Sequence, residues 1–203
     1  MGVLKKLVVA SNNQGKLREI SALLEHLSIE VLPQSTFDVG EVEEPYMTFI
    51  ENALTKARYA SQCTGLPALA DDSGICVNSL NGAPGVISAR YAGEPKSDER
   101  NNQKLVEELR NHTDRSAFYY CIIVMLRHAN DPQPIIVDGS WQGEIILEPK
   151  GEGGFGYDPY FYLPSLDKTA AQLASVQKNQ LSHRGKALAC LVERLQMNTL
   201  LCG

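Results

Sequence analysis

The sequence predicts an α/β protein, a mixed β-sheet with helices packed on it. Three observations carry that prediction. The N-terminal part alternates short apolar runs with segments whose apolar residues recur at helical spacing. Two long β-rich runs, joined only by "NDPQ", follow later, and the chain then builds a closing amphipathic helix.

In chain order, "LKKLVVA" reads as a first strand. After the polar turn "SNNQG", Leu17, Ile20, Leu24 and Leu27 recur at the i, i+3, i+4 spacing of a helix. "IEVLP" reads as a second strand, and the acidic "DVGEVEEPYM" that follows has no period. Thr48 and Glu51 form a capping-box pair ahead of the alanine-rich helix "FIENALTKARYAS". "LPALA" is a short buried strand that delivers the chain into "DDSG", read as a polar turn. "NGAPGVISARYAG" is too rich in glycine and proline for regular structure and reads as a surface loop. Ser97 caps a helix through "SDERNNQKLVEELRN", with acids in its first turn where the helix dipole favours them. "SAFYYCIIVMLRHA" and "PIIVDGSWQGEIIL" read as an antiparallel pair, and a last helix from Ser182 carries Leu188, Leu191, Val192 and Leu195 on one face.

The 203 residues, 43% apolar and 21% charged, suit one globular domain over 1–203. A net charge of -5 argues against partners that reward a basic field, namely nucleic acid and anionic membranes. The apolar run within "MGVLKKLVVA" is too short for a signal-peptide core or a membrane span, so the chain reads as untargeted and cytoplasmic. Cys63, Cys76, Cys121, Cys190 and Cys202 are odd in number and widely spread, which matches neither a zinc site nor a disulfide framework. Without a secretory signal, "NHT" at 111–113 is a chance glycosylation match.

Several segments can carry chemistry. "SNNQGK" lies where a strand hands over to a helix, a place where backbone N–H groups receive phosphate. It is not a Walker loop, since Ala10 and Leu17 stand where that motif needs glycine and Ser or Thr. An ordinary capped turn has the same composition. "ADDSG" places Asp71 and Asp72 at the end of a strand, pointing opposite ways, so that only one of them faces a ligand. An Asx-type turn with two solvated acids is the competing reading.

Glu41, Glu43 and Glu44 in "EVEEP" form either a solvated charge run or the source of one carboxylate. One glutamate there and one aspartate of "DDSG" would suffice for a phosphate-bound magnesium ion. Lys178, His183, Arg184 and Lys186 cluster near the start of the last helix, where cations oppose the dipole unless an anion or carbonyl ligand joins them. Lys16, Lys56, Lys178 and Arg184 could together neutralise a triphosphate. In "GEGGFGYDPYF", Gly151, Gly153 and Gly156 fit the dinucleotide spacing G-x-G-x-x-G. That motif must open a helix, and Pro159 and the aromatics after Gly156 oppose one. The remaining readings are core packing of Phe155 or an aromatic wall for a nucleobase.

Taken together, "SNNQGKLREI", "TFIENALTKARYA", "ADDSGICVNSLNGAPGVISARYAG", "GEGGFGYDPYF" and "SHRGKAL" resemble the noncanonical purine nucleoside triphosphate pyrophosphatases, the Ham1 or inosine triphosphatase family, almost end to end. The resemblance implies an elongated mixed sheet flanked by helices in two lobes with a central substrate cleft, and a homodimer. It implies Mg²⁺-dependent hydrolysis of ITP, dITP and XTP to the monophosphate and pyrophosphate. By motif position Ser11, Asn12, Asn13, Gln14, Gly15 and Lys16 would hold the triphosphate with Lys56. Asp72 would be general base and metal ligand, Glu44 a second ligand, and Ser73 a substrate contact. Phe155, Gly156, Tyr157, Asp158, Lys178, His183 and Arg184 would surround the base. Gln172 stands where many relatives are expected to carry an acid. A Maf-type pyrophosphatase of other nucleotides and a nucleotide sensor without turnover are the rival functions.

Overall fold

The computed structural model describes residues 4–197. Its strands form one seven-stranded sheet in the order β2-β1-β3-β4-β5-β6-β7, with β1 at Lys6–Val9, β2 at Glu30–Pro33, β3 at Ala68–Val77, β4 at Ser116–Leu126, β5 at Ile135–Ile145, β6 at Phe161–Leu163 and β7 at Lys168–Thr169. The sheet is mixed: β1 runs parallel to both β2 and β3, whereas β6 is antiparallel to β5 and β7. The helices are α1 (Gln14–Leu24), α2 (Phe49–Thr64), α3 (Asp98–Leu109), α4 (Ser175–Leu181) and α5 (His183–Met197). None of the described helices is long and apolar enough to cross a membrane.

The chain divides into two compact units. The first comprises Met1–Asp72, Cys121–Gly139 and Arg184–Gly203, and the second comprises Ser73–Tyr120 and Ser140–His183. Each has its own apolar core. In the first, Leu17, Ile20 and Leu24 of α1 and Leu188, Leu191 and Leu195 of α5 pack with Leu7 and Val9 of β1 and with Ile123 and Met125 of β4. Burying each such leucine or isoleucine contributes about 1.5–3 kcal/mol. In the second, Leu105 and Leu109 of α3 pack with Tyr119, Trp141, Phe161 and Leu163.

Local signals place the helix starts. The Asn13 side chain accepts from the N–H groups of Gly15 and Lys16 at 2.9 and 3.1 Å and so caps α1. Thr48 caps α2 by accepting from Glu51 N–H and donating its hydroxyl to the Glu51 carboxylate. Ser97 accepts from Arg100 N–H at the start of α3.

Three segments depart from the sequence reading. "DDSG" is not a turn: β3 runs straight through it, with every residue from Ala68 to Val77 buried except the half-buried Ser73. The loop after β3 contains 3₁₀ turns at Asn78–Leu80 and Gly85–Arg90. Residues ahead of α5 form the additional short helix α4, which Ser182, the residue directly before α5, closes by donating its N–H to Lys178 O at 2.8 Å. Cys63, Cys76, Cys121 and Cys190 are free thiols, and Cys202 lies outside the described residues.

Candidate active site

In the first unit, β3 carries Asp71 and Asp72 in succession, and pleating sends their side chains to opposite faces. Asp71 Oδ2 accepts from Lys16 Nζ at 3.0 Å and from both Nε and Nη2 of Arg184 at 3.2 Å. Arg184, itself 2% exposed, also pairs with Glu19 of α1. This network ties α1, β3 and α5 together. Asp72 faces a different set: Lys56 Nζ donates to Asp72 Oδ1 at 3.1 Å and to Glu44 Oε2 at 3.2 Å. The buried Asn52 of α2 donates to Asp72 Oδ2 at 3.4 Å and brackets Tyr46 through its backbone N–H and C=O.

These partners set the acidities. Burial raises the Asp72 carboxyl, and the nearby Glu44 charge adds to that, outweighing the opposing pull of Lys56 and Lys16; the result is about 6. For Asp71 burial works in the same direction, but Lys16, Arg184 and Lys56 prevail and hold it well below the ordinary carboxylate range. Burial opposes the Lys56 charge, yet Asp72, Asp71 and Glu44 keep its ammonium more basic than usual. Glu44, despite partial burial, is lowered by Lys56.

The residues fit a magnesium ion that is also held by phosphate. Two carboxylates from different segments already converge on one ammonium, so positive charge is favoured between them. Among the described residues no cluster of three or more His, Cys, Asp or Glu side chains could hold a metal alone. Phosphate and water would have to complete the coordination.

In the second unit, the 151–158 loop folds around Asp158. Its Oδ2 accepts from Phe155 N–H at 2.8 Å and from Lys178 Nζ at 2.6 Å, and its Oδ1 accepts from Tyr119 OH at 3.3 Å. Gly154 lies at φ +79°, and a Cβ there would come within 2.0 Å of Asp158 Oδ2. Only glycine permits the carboxylate to turn back under the loop. Lys178 Nζ sits 4.6 Å from the centroid of the Phe155 ring, which is 40% exposed. Tyr119 stacks on His183 with centroids 4.7 Å apart and planes 7° from parallel. Tyr157 is buried and donates its OH to Ser88 O at 2.8 Å. No helix follows Gly156, and the chain turns instead into β6.

One cluster thus joins cations to a raised carboxyl, and another joins an exposed aromatic face to a buried ammonium. The Ham1 family model matches residues 7–194. The chain belongs to the Ham1 family. It is 66% identical over 195 residues to the dITP/XTP pyrophosphatase of Nitrosomonas europaea, covering 96% of each chain. It is 60% identical over 197 residues to that of Ralstonia nicotianae, covering 96% of this chain and 98% of the relative. A Ham1 protein structure from Coxiella burnetii superposes with a TM-score of 0.90 at 49% identity, covering 95% of this chain and 99% of the other. The Staphylococcus aureus Ham1 protein gives 0.86 at 45% identity, covering 96% and 100%. The mixed α/β fold is therefore that of the Ham1 proteins.

Against the Ham1 motifs, the structure brings Lys16, Glu44, Lys56 and Asp72 together in the first unit, with Ser11 and Asn12 in the turn that leads into α1 and Gln14 and Gly15 in its first turn. Glu43 is exposed, whereas Glu44 is the acid bonded to Lys56. Asn13 spends its side chain on the helix cap. Phe155, Gly156, Tyr157, Asp158, Lys178 and His183 belong to the second unit, as does Ser73. Arg184 is a different case: its bonded partners are Asp71 and Glu19 of the first unit. Gln172 accepts from Thr169 N–H at 2.9 Å, closing a capping box on its own 3₁₀ turn.

Sequence reasoning misses Asn52, Glu19 and Tyr119. Asn52 had a signal, an amide in the interior of an alanine-rich helix, where it costs helix propensity. Tyr119 reads as an ordinary strand aromatic and had none.

Proposed function

We propose that residues 1–203 work as one nucleoside triphosphate pyrophosphatase domain that hydrolyses ITP, dITP and XTP to the monophosphate and pyrophosphate with Mg²⁺. The activity removes deaminated purines from the nucleotide pool of the cytoplasm, and the working form is a homodimer. The observation that carries this reading is the convergence of Glu44 and Asp72 on Lys56, with Asp72 raised to about 6, in a chain 66% identical to a dITP/XTP pyrophosphatase.

The Ser11–Lys16 segment and Lys56 receive the triphosphate. Asn13 already serves the N–H groups of Gly15 and Lys16, so the Lys16 ammonium is the foremost contact to the anion. Glu44 and Asp72 hold Mg²⁺, which when bound neutralises phosphate charge as a Lewis acid. Asp72 takes the proton of the water that attacks the α-phosphorus, and a carboxyl poised near neutrality suits that transfer. Ser73, next along β3, contacts the substrate.

The base is assigned to the second unit, stacked on Phe155 and bordered by Tyr157 and His183. Lys178 spends one donor on Asp158, and its ammonium carries others for the C6 oxygen of hypoxanthine or xanthine. Adenine presents an amino group there and leaves the donor unpaired, which a hydrogen-bonding site can penalise by up to about 10⁴ to 10⁵. Pyrophosphate release from ITP, XTP, GTP, ATP and dUTP, with and without Mg²⁺, tests the reading. Mg²⁺-dependent preference for ITP and XTP is expected, and equal rates on ATP and ITP would contradict it.

A further inference from the structure

The N-terminal end of α3 grips the loop that carries Phe155. Gly156 N–H donates to Asp98 Oδ2 at 2.7 Å, and Asn102 Nδ2 donates to Gly156 O at 2.9 Å. Asp98 and Asn102 are four apart on one helix face, so both polar backbone groups of Gly156 are fixed from a single rigid element. Gly156 has φ +64°, and nothing lies within 4 Å of where a Cβ would stand. The two hydrogen bonds are the contacts by which α3 holds this residue. Asn102 is 6% exposed, and its Oδ1 is buried with no hydrogen-bond partner. A buried acceptor in that state costs stability, and a leucine would avoid the cost while losing the bond to Gly156.

We propose that Asp98 and Asn102 are positioning residues for base recognition. They fix Gly156 so that Phe155 on one side, and Tyr157 and Asp158 on the other, keep their places, with Lys178 carried by Asp158. The inference rests on the reading above that this loop receives the purine.

The test measures KM and kcat for ITP together with Tm in Asp98→Ala, Asp98→Asn, Asn102→Leu and Phe155→Ala. Loss of either bond is expected to raise KM about fivefold while kcat changes by less than about twofold. Asp98→Asn, which keeps an acceptor for Gly156 N–H, is expected to stay within about twofold of wild type. Asn102→Leu is expected to keep or raise Tm while raising KM, a split that a merely structural role does not produce. If Asn102→Leu fails to fold, the two variants at the exposed Asp98 decide the matter. Unchanged KM in the variants at 98 and 102, alongside a raised KM in Phe155→Ala, overturns the positioning role alone. Unchanged KM in Phe155→Ala overturns the base-site reading and this inference with it.

Discussion

Asp71 and Asp72 are neighbours on β3 whose carboxyls are driven in opposite directions by the side chains they face. Asp71 is enclosed by Lys16 and Arg184 and is held well below the ordinary range. Asp72 shares Lys56 with a second carboxylate, Glu44, and burial, helped by the Glu44 charge, lifts it to about 6. Environments that separate the acidities of adjacent acids assign them different tasks. Asp71 is a structural anion, and Asp72 is the acid to which the proposed proton transfer and metal binding are assigned.

Metal binding should depend on pH through Asp72. Its folded value is raised above the ordinary carboxylate value of about 4, so the metal-free fold favours the neutral form. That contribution to stability is present below about pH 4 and is lost as pH rises through about 6. Mg²⁺ binds the ionised form and works the other way. Thermal unfolding with pyrophosphate present to complete the coordination, with and without Mg²⁺, should show a metal-induced rise in Tm at about pH 7.5 that fades as pH falls through about 6. An equal rise at about pH 5 would contradict the assignment of Asp72 as a ligand.

The Asp71–Arg184 pair should be a stability element. Removing one partner of a buried ion pair costs up to about 3–5 kcal/mol, and here Lys16 still pairs with Asp71. Arg184→Ala should lower the unfolding free energy in urea by that order. A loss within experimental error would mean that Arg184 has a different principal role.

Phe155→Ala should weaken substrate binding more than turnover. Base stacking on an aromatic is worth about 1–3 kcal/mol, so KM for ITP should rise by about fivefold or more. Steady-state kinetics on ITP reads this directly, and an unchanged KM would return Phe155 to a packing role.

Gln172→Glu should be nearly silent. The Gln172 side chain is exposed and accepts from Thr169 N–H within its own turn, a bond that a carboxylate also accepts. Activity on ITP within about twofold of wild type is expected. A larger change would show that an acid at 172 acts beyond its capping box.

Much of this was legible in the residues. Thr48 with Glu51 and Ser97 with its first-turn acids marked the starts of α2 and α3, because capping is a local interaction. Pro159 correctly excluded a dinucleotide motif, since it forbids the required helix. "DDSG" was misread as a turn because composition favours one. What keeps it in the strand is long-range: β3 lies between β1 and β4 in the sheet, and Arg184, 113 residues away, is bonded to Asp71. The grip of Asp98 and Asn102 on Gly156 was invisible for the same reason, as it joins segments more than 50 residues apart.

The most direct measurement is kcat for ITP with Mg²⁺ in Asp72→Asn, a substitution that keeps shape and removes the proton acceptor. General-base catalysis is worth about 10²- to 10⁴-fold, so turnover should fall by that factor while Asp71→Asn acts chiefly on stability. Undiminished turnover in a folded Asp72→Asn protein would contradict the account.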